Sequence, residues 1–229
     1  MTELTAAHGE VELLQTLEEQ IDPRVTALLV IDMQNDYLAD EGKLGKLGLN
    51  PKKDQIQQAL PAINGLVEEA RNARVTVIWI RQTHSLKDVL PNYLTHNIAK
   101  VKGRSFTEED LLVREGCWGA DYYEKLIKSL PGEIEVIKHS YGAFTSTNLE
   151  AYLKAQGIKT LIYIGCALDV CVLSTALEGW HKGYYSIIPT DCVIHFDATL
   201  RKCLLECHRK FYGFTPESSE MIRIWRKGG

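Results

Sequence analysis

Three side chains that could act together on a carbonyl group follow apolar, β-branched runs of the sequence. Asp32 and Lys138 each come directly after such a run, and Cys171 lies in the turn after a third. An unperturbed cysteine is only a few per cent thiolate at neutral pH, so a nucleophilic cysteine needs a neighbouring base. In a desolvated pocket Asp32 could take the thiol proton, and Lys138 could offset the negative charge that accumulates on carboxylate and thiolate. The set therefore indicates attack of a cysteine on a carbonyl carbon.

The turn around Cys171 could supply two further functions. Cys171 opens a stretch of helical period, and a helix N-terminus favours a thiolate. The backbone amides of Ala167 and Cys171 could bind the oxygen of a tetrahedral intermediate, where each such donor contributes a few kcal/mol.

Each of these residues also has a purely structural interpretation. An aspartate at a strand end can cap the following turn, and a single lysine is commonly a solvated charge. A cysteine such as Cys166 or Cys171 commonly fills space in a core, and Cys166 is interpreted in that way. The joint occurrence of Asp32, Lys138 and Cys171 after three separate runs favours the catalytic interpretation.

Six short runs rich in β-branched and aromatic residues alternate with stretches of helical period. Several runs are apolar throughout, as strands covered on both faces must be, and their separation suits crossover helices. We predict an α/β fold of three layers, α/β/α, with a six-stranded parallel, doubly wound sheet in a single domain spanning residues 1–229. Such sheets bind ligands beyond the carboxyl ends of the strands. The predicted strands are 25–31, 75–80, 133–137, 160–165, 184–189 and 221–225.

Helical period and stop residues define the elements between the strands. Gly157 and Gly183 are placed as helix stops. We also expect a helix over residues 8–20, packed outside the sheet within an N-terminal extension, residues 1–24. The other predicted helices are 55–73, 120–129, 147–156, 171–182 and 197–211.

Residues 82–117 interrupt this alternation with a long stretch of mixed charge and no strong period. The stretch is too long for a simple connection. Two interpretations stay open: a pocket-side insertion that acts as lid or wall for a substrate, or a surface insertion that contacts another subunit.

Composition argues against several classes of function. The chain of 229 residues has a formal net charge of −4 at pH 7, which provides no basic field for nucleic acid or an anionic membrane. Residues 1–20 lack the basic start and apolar core of a secretion signal, and no apolar run approaches the ~20 residues of a membrane span. We expect a soluble, cytoplasmic protein whose six cysteines are free thiols, mostly buried.

Four segments together resemble the isochorismatase-like cysteine hydrolase superfamily, whose members include nicotinamidases, carbamoylsarcosine amidases, biuret hydrolases and ureidoacrylate amidohydrolases. The resemblance runs from about Thr26 to Trp225, nearly the whole chain. It implies a Rossmann-like fold and a hydrolytic activity. The segments are ALLVIDMQNDY (27–37), IKHSYGAFTSTNLEAYLKAQGIKTLIYIG (137–165), GCALDVCVLSTALEGWHKGY (165–184) and DCVIHFD (191–197).

Carried over position by position, the resemblance implies a catalytic triad in which Cys171 is the nucleophile, Asp32 the base and Lys138 the third member. It also implies a cis peptide bond between Cys166 and Ala167, with the Ala167 amide turned inward as an oxyanion donor beside that of Cys171.

The resemblance further implies two pocket aromatics, Tyr37 and Phe144, and the sequence departs from the family pattern nearby. Gly142 stands where the family usually has serine. Leu168 stands where many relatives have threonine or serine, which would make that wall of the pocket more apolar.

The family's nicotinamidases hold a metal ion on a cluster that this chain lacks, because His84 stands alone after the second predicted strand. One histidine is not a metal site. Cys203, Cys207 and His208 share helical spacing but have no second pair, so we interpret them as core residues. We expect no metal and no cofactor.

Other residues at the predicted rim are candidates for substrate binding. Arg81 and Gln82 could bind a carboxylate or amide, although a solvated pair at the rim is an equal alternative. Trp118 and Tyr141 could be pocket aromatics or core residues.

We therefore predict a metal-independent amidohydrolase that cleaves a C–N bond of a small amide, ureido or carbamoyl compound through a covalent acyl-enzyme. The glycine-bearing stretch 41–50 is similar to that of relatives acting on ureido compounds. A vinyl-ether hydrolase acting on an isochorismate-like acid and a non-catalytic thiol sensor are the alternatives. The expected partners are the small substrate and further copies of the chain, as a dimer or tetramer.

Overall fold

A computed structural model of the chain describes residues 13–95 and 107–228, together with the backbone of residues 5–6 and 9–10. Its strands are β1 (Thr5–Ala6), β2 (Gly9–Glu10), β3 (Thr26–Ile31), β4 (Thr76–Gln82), β5 (Ile134–Lys138), β6 (Thr160–Cys166), β7 (Tyr185–Ile187), β8 (Val193–Ile194) and β9 (Gly213–Phe214). Its helices are α1 (Leu17–Gln20), α2 (Asn35–Leu38), α3 (Lys43–Lys46), α4 (Lys53–Asn72), α5 (Pro91–Tyr93), α6 (Leu149–Ala155), α7 (Leu173–His181), α8 (Ala198–Phe211) and α9 (Ser218–Gly228).

The main sheet has the strand order β5-β4-β3-β6-β7-β9, and β8 pairs with the end of β6. Every pair in it is parallel. The order reverses beside β3, so the carboxyl ends of β3 and β6 form the crevice in which a doubly wound sheet binds ligands. The predicted α/β class and parallel sheet are confirmed. Among the described residues the main sheet has seven strands instead of the predicted six.

Alternating side chains of the central strands fill two cores, one on each face of the sheet. Leu28 and Val30 of β3 lie in the first core with the buried face of α4 and with α9. Leu29 and Ile31 lie in the second core with α6, α7 and α8. Because burying one such side chain contributes about 1.5–3 kcal/mol, β3 is fixed between two helical layers.

The sixth predicted strand, residues 221–225, is wrong, because these residues lie within helix α9. Ser218, Met221 and Trp225 are buried and Arg223 is exposed, a helical spacing that the short apolar run concealed. The Trp225 indole donates a hydrogen bond to the Ile21 carbonyl and so joins α9 to the start of the chain.

The predicted helix over residues 120–129 is also wrong. Trp118–Ala120 form one 3-10 turn, and the residues that follow are irregular. Their backbone groups bond outside the segment: the Tyr123 amide donates to the Met33 carbonyl, and Asn64 of α4 bonds the Lys125 carbonyl and the Ile127 amide. These partners replace the hydrogen bonds that a helix would have supplied.

The helix predicted over residues 8–20 is shorter than expected. Of its described residues only Leu17–Gln20 are helical, and Thr16 begins that turn through a capping box with Glu19. Gly9–Glu10 instead pair with Thr5–Ala6 as antiparallel strands. Residues 1–4, 7–8 and 11–12 of the predicted extension lie outside the described residues.

The remaining helices and stops agree with the prediction to within a few residues, and Gly157 and Gly183 both have positive φ. The long segment 82–117 is described except for residues 96–106. A bridge between His84 and Arg114 joins its two ends. No helix in the described part of the chain is long and apolar enough to cross a bilayer.

Gly165, near the end of β6, is required by a close approach of two strands. Its φ is +115°, and a Cβ there would overlap the carbonyl oxygen of Ile31 in β3. We expect Gly165→Ala to lower the free energy of unfolding by roughly 2–4 kcal/mol. Gly65, inside α4 with open space beside it, is the matched control. Gly65→Ala should raise that free energy by about 0.5–1 kcal/mol. Urea denaturation measures both, and equal stability of the two variants would contradict the close approach.

Candidate active site

Asp32 and Lys138 form an ion pair at the base of the crevice. Asp32 follows β3, Lys138 ends β5, and the Lys138 Nζ lies 2.7 Å from the Asp32 Oδ2. Both side chains are 0% exposed. The ammonium also donates to the carbonyls of Ser140 and Tyr141, at 2.8 and 3.0 Å. All three of its protons therefore have acceptors, as a buried ammonium requires.

Burial and pairing act in opposite directions on this pair. Burial raises the pKa of the Asp32 carboxyl, although Lys138 and Cys171 lower it. Burial opposes the charge of Lys138, yet Asp32 and Cys171 outweigh that effect, so the pKa of Lys138 is raised. Lys138 is thus protonated at neutral pH, with Asp32 as its counter-ion.

Cys171 lies 5% exposed beside this pair, in a π-helical turn, Leu168–Val172, that leads into α7. Burial raises the pKa of its thiol, Asp32 raises it further, and Lys138 lowers it. The expected contribution of the helix N-terminus to a thiolate is therefore outweighed at Cys171, whose pKa is raised overall. The helical turn begins three residues earlier, at Leu168, and the loss of solvation dominates.

Gln82, at the end of β4, connects the thiol to a buried hydrogen-bond network. Its Oε1 accepts from the Tyr37 hydroxyl at 2.8 Å and from the Cys171 Sγ at 3.8 Å. Its Nε2 lies 3.1 Å from the Nε2 of His84. Gln34 clamps the Gln82 backbone by bonding both its amide and its carbonyl. The sequence analysis did not identify Gln34, although it lies in the segment ALLVIDMQNDY (27–37), three residues after the end of β3.

A cavity of about 240 Å³ opens above the thiol. Three of the predicted substrate-binding side chains line it, Tyr37, Gln82 and Tyr141, and so do Ala167 and Cys171, the predicted oxyanion donors. The peptide bond between Cys166 and Ala167 is cis, as the resemblance implied. The other lining residues are Leu44, Leu49, Tyr93, Leu112, Cys166, Val170 and Phe196. Tyr93 and Leu112 belong to the segment 82–117, so part of that segment forms a wall.

Arg81 and Trp118, predicted at the substrate, lie elsewhere. Side chains alternate along a strand, so Arg81 faces away from its neighbour Gln82 and pairs with Glu135 at 2.9 Å. Trp118 is 53% exposed in a different surface depression.

Phe144 and Leu168 were also predicted to contact the substrate, and both lie in the second core instead. Phe144 stacks on Tyr184 with ring centres 6.0 Å apart. Leu168 is 1% exposed, so its apolar side chain alters the core and not the cavity wall.

The glycine at position 142 has a structural cause. A Cβ there would overlap the carboxylate of Glu178 in α7. That carboxylate accepts from the Phe144 amide at 2.9 Å and from the Thr145 hydroxyl. Glu178 thus holds the loop after β5 that carries Tyr141 into the cavity wall.

The sulfur and histidine groups do not assemble a metal-binding set in the described residues, where no three His, Cys, Asp or Glu side chains converge. His84 is buried, and burial lowers its pKa to about 4. The core interpretation is wrong for Cys203 and Cys207, which are exposed, and holds for His208. The two thiols lie on the solvent face of α8, opposite its buried side.

Residues 26–212 match the isochorismatase domain family. The ureidoacrylate amidohydrolase of Methylorubrum extorquens is 32% identical over 196 residues, 80% of this chain and 76% of that protein. Its counterpart in Methylobacterium radiotolerans is 31% identical over 218 residues, 92% of this chain and 83% of that protein. This chain belongs to the isochorismatase family.

Two solved structures have a fold similar to that of this chain. A cysteine hydrolase from Pseudomonas syringae has a TM-score of 0.79 at 23% identity, covering 92% of this chain and 96% of that one. The N-carbamoylsarcosine amidase of Thermoplasma acidophilum has a TM-score of 0.64 at 25% identity, covering 84% and 96%. The family resemblance inferred from the sequence segments is confirmed.

Removing one member of the buried pair should leave an uncompensated charge. We expect Lys138→Met to lower the free energy of unfolding by about 3–5 kcal/mol at pH 8. Without Lys138 the folded-state pKa of Asp32 would rise further above its unfolded value. The folded state would then take up a proton as the pH falls, and the loss should be smaller at pH 5. Urea denaturation at the two pH values measures this.

Two variants serve as controls for that measurement. Asp32→Asn combined with Lys138→Met should recover part of the loss, because no unpaired charge remains. Lys53→Met removes the exposed pair with Asp40 and should cost less than about 1 kcal/mol. A double variant less stable than Lys138→Met alone would contradict mutual neutralisation.

Proposed function

We propose that this chain is a metal-independent amidohydrolase that forms a covalent acyl-enzyme at Cys171. It is a hydrolase of carbon–nitrogen bonds other than peptide bonds, as its relatives are by name. The observation that carries the covalent mechanism is the placement of a buried thiol beside the 2.7 Å pair of Asp32 and Lys138, at the base of a cavity.

The first half of the reaction begins with proton transfer. As Cys171 attacks the carbonyl carbon, its thiol proton moves to Asp32, and the carbonyl oxygen becomes an oxyanion. Asp32 then gives that proton to the leaving nitrogen, the C–N bond breaks, and ammonia or an amine departs. Lys138 stabilises the negative charge on the carboxylate and on the sulfur throughout, since it stays protonated.

The second half repeats this proton movement with water. Asp32 accepts a proton from the water that attacks the thioester, and the proton returns to the sulfur as the product acid leaves. The amides of Ala167 and Cys171 are the proposed oxyanion donors in both halves. Both residues line the cavity, and each donor of this kind contributes about 3–4 kcal/mol to a transition state.

The raised pKa of Cys171 fits this scheme better than a sensor role. Redox-sensing thiols are exposed and have lowered pKa values, whereas this thiol is buried and protonated at rest. The vinyl-ether alternative makes no use of a cysteine, so the position of Cys171 against the ion pair favours amide hydrolysis.

The size of the cavity favours a small substrate. A cavity of about 240 Å³ suits a small molecule, and the relatives are named for a ureido and a carbamoyl compound.

All six cysteines are free, which fits the reducing cytoplasm. A dimer or tetramer is the proposed assembly.

Replacing the nucleophile should abolish turnover. For Cys171→Ala we expect ammonia release from the best substrate to fall to background, with a melting temperature within a few degrees of the parent. Cys203→Ala, which removes an exposed thiol, should be fully active. A trapped thioester, seen as a mass increase on Cys171 after rapid quenching, would support the intermediate. Hydrolysis retained in Cys171→Ala would overturn the scheme.

Replacing the base should separate thiolate formation from catalysis. We expect Asp32→Asn to lower turnover by about 10²–10⁴-fold. Its Cys171 should nevertheless react with iodoacetamide at lower pH than in the parent. The Asp32 charge that raises the thiol pKa would be gone, while Lys138 would remain. Asp40→Asn, which alters an exposed carboxylate, is the control. Near-normal turnover in Asp32→Asn would remove it from the role of base.

A further inference from the structure

Among the described residues, 13–95 and 107–228, no charged side chain lines the cavity above Cys171. Nine of the lining residues have apolar or aromatic side chains: Tyr37, Leu44, Leu49, Tyr93, Leu112, Tyr141, Ala167, Val170 and Phe196. The other three are Gln82, Cys166 and Cys171. A ligand in this cavity therefore meets mainly hydrocarbon and tyrosine rings.

The two cations next in sequence to lining residues are committed elsewhere. Lys43 precedes Leu44, and its ammonium donates to the carbonyls of Glu109 and Leu111. Arg81 precedes Gln82, and its guanidinium pairs with Glu135 on the other side of the sheet.

Three acids stand next in sequence to lining residues, and backbone amides hold each of them. Asp36 accepts from the amides of Lys43 and Val113. Asp169 accepts from the amides of Phe196 and Asp197. The Asp197 carboxylate caps helix α8. These groups do not supply the cavity with a counter-charge.

The polar base of the cavity is electrically balanced. Lys138 is matched by Asp32 and by two carbonyl oxygens, so it has no proton left for a substrate carboxylate. The ring of His84 packs on that of Tyr93, with ring centres 4.4 Å apart. His84 is neutral at pH 7 because burial lowers its pKa to about 4. A second carboxylate would enter a desolvated space beside Asp32 without a partner.

Building on the proposed function, we propose that the substrates are neutral amides or ureides with an apolar, branched aliphatic or aromatic group, and that compounds bearing a carboxylate are rejected. The ureidoacrylate named for the relatives is a carboxylate, so the proposal separates this chain from them in substrate charge.

Matched compounds test this directly. Isocaproamide and succinamate differ only in an isopropyl group against a carboxylate of similar shape, and isopentylurea and ureidopropionate differ in the same way. We expect kcat/KM, measured by ammonia release at pH 7.5, to favour the neutral member of each pair by at least about 100-fold.

Two leucines offer a matched pair of variants for the same test. Leu49 and Leu47 are 61% and 66% exposed, and only Leu49 is among the residues that line the cavity. Leu49→Arg should reduce the preference for the neutral compounds by about 10-fold or more, because it places a cation at the mouth. Leu47→Arg should leave the preference unchanged.

The outcomes separate this inference from the proposed function. Equal or faster hydrolysis of the carboxylates, abolished in Cys171→Ala, would overturn the substrate class and leave the mechanism standing. If no compound is hydrolysed, the proposed function fails, and binding then decides the substrate class. Isocaproamide at millimolar concentration should raise the melting temperature of Cys171→Ala, and succinamate should not. No change in melting temperature with isocaproamide, or an equal change with both compounds, would overturn the proposed substrate class.

Discussion

The site depends on one buried ion pair. A fully desolvated carboxylate or ammonium is too costly alone, so Asp32 and Lys138 must stay in contact whenever the chain is folded. They come from β3 and β5, with β4 between them, so the contact requires this strand order. Lys138 is in register with Gln82, the last residue of β4, and the Gln82 side chain lies beside the thiol. The thiol, the carboxylate and the Gln82 amide therefore lie together around one neutralised ion pair.

Without substrate, the described side chains of the site carry no uncompensated charge. The thiol is protonated and His84 is neutral. The charges of Asp32 and Lys138 cancel at the base of a cavity whose described walls are mainly apolar. In the proposed mechanism the thiolate forms only when a substrate arrives, through proton transfer to Asp32, a carboxylate whose pKa burial already raises. A permanently formed thiolate would have been more exposed to alkylation and oxidation. The same lack of spare charge connects the mechanism with the proposed neutral substrates, because one desolvated environment controls both.

Several residues near the site act by holding others. Gln34 fixes the backbone of Gln82 through two hydrogen bonds. The side-chain oxygen of Gln82 accepts hydrogen bonds from Tyr37 and Cys171. Glu178 of α7 occupies the space beside Gly142 and anchors the loop that carries Tyr141. Both arrangements connect residues that line the cavity to distant segments of the chain. Neither leaves a periodic pattern in the sequence, since each joins segments more than 30 residues apart.

The sequence by itself determined the parallel α/β fold and the convergence of Asp32, Lys138 and Cys171, because continuous apolar runs specify buried strands whose carboxyl ends share one edge. The prediction of a strand at 221–225 was wrong, because five residues are too few to distinguish a strand from one face of a helix. Only the tertiary structure decided that Arg81 faces away, that Leu168 is core, and that Cys171 rests as a thiol. Those outcomes depend on which side of a strand is covered and on how much water remains, and both are set by packing between distant segments.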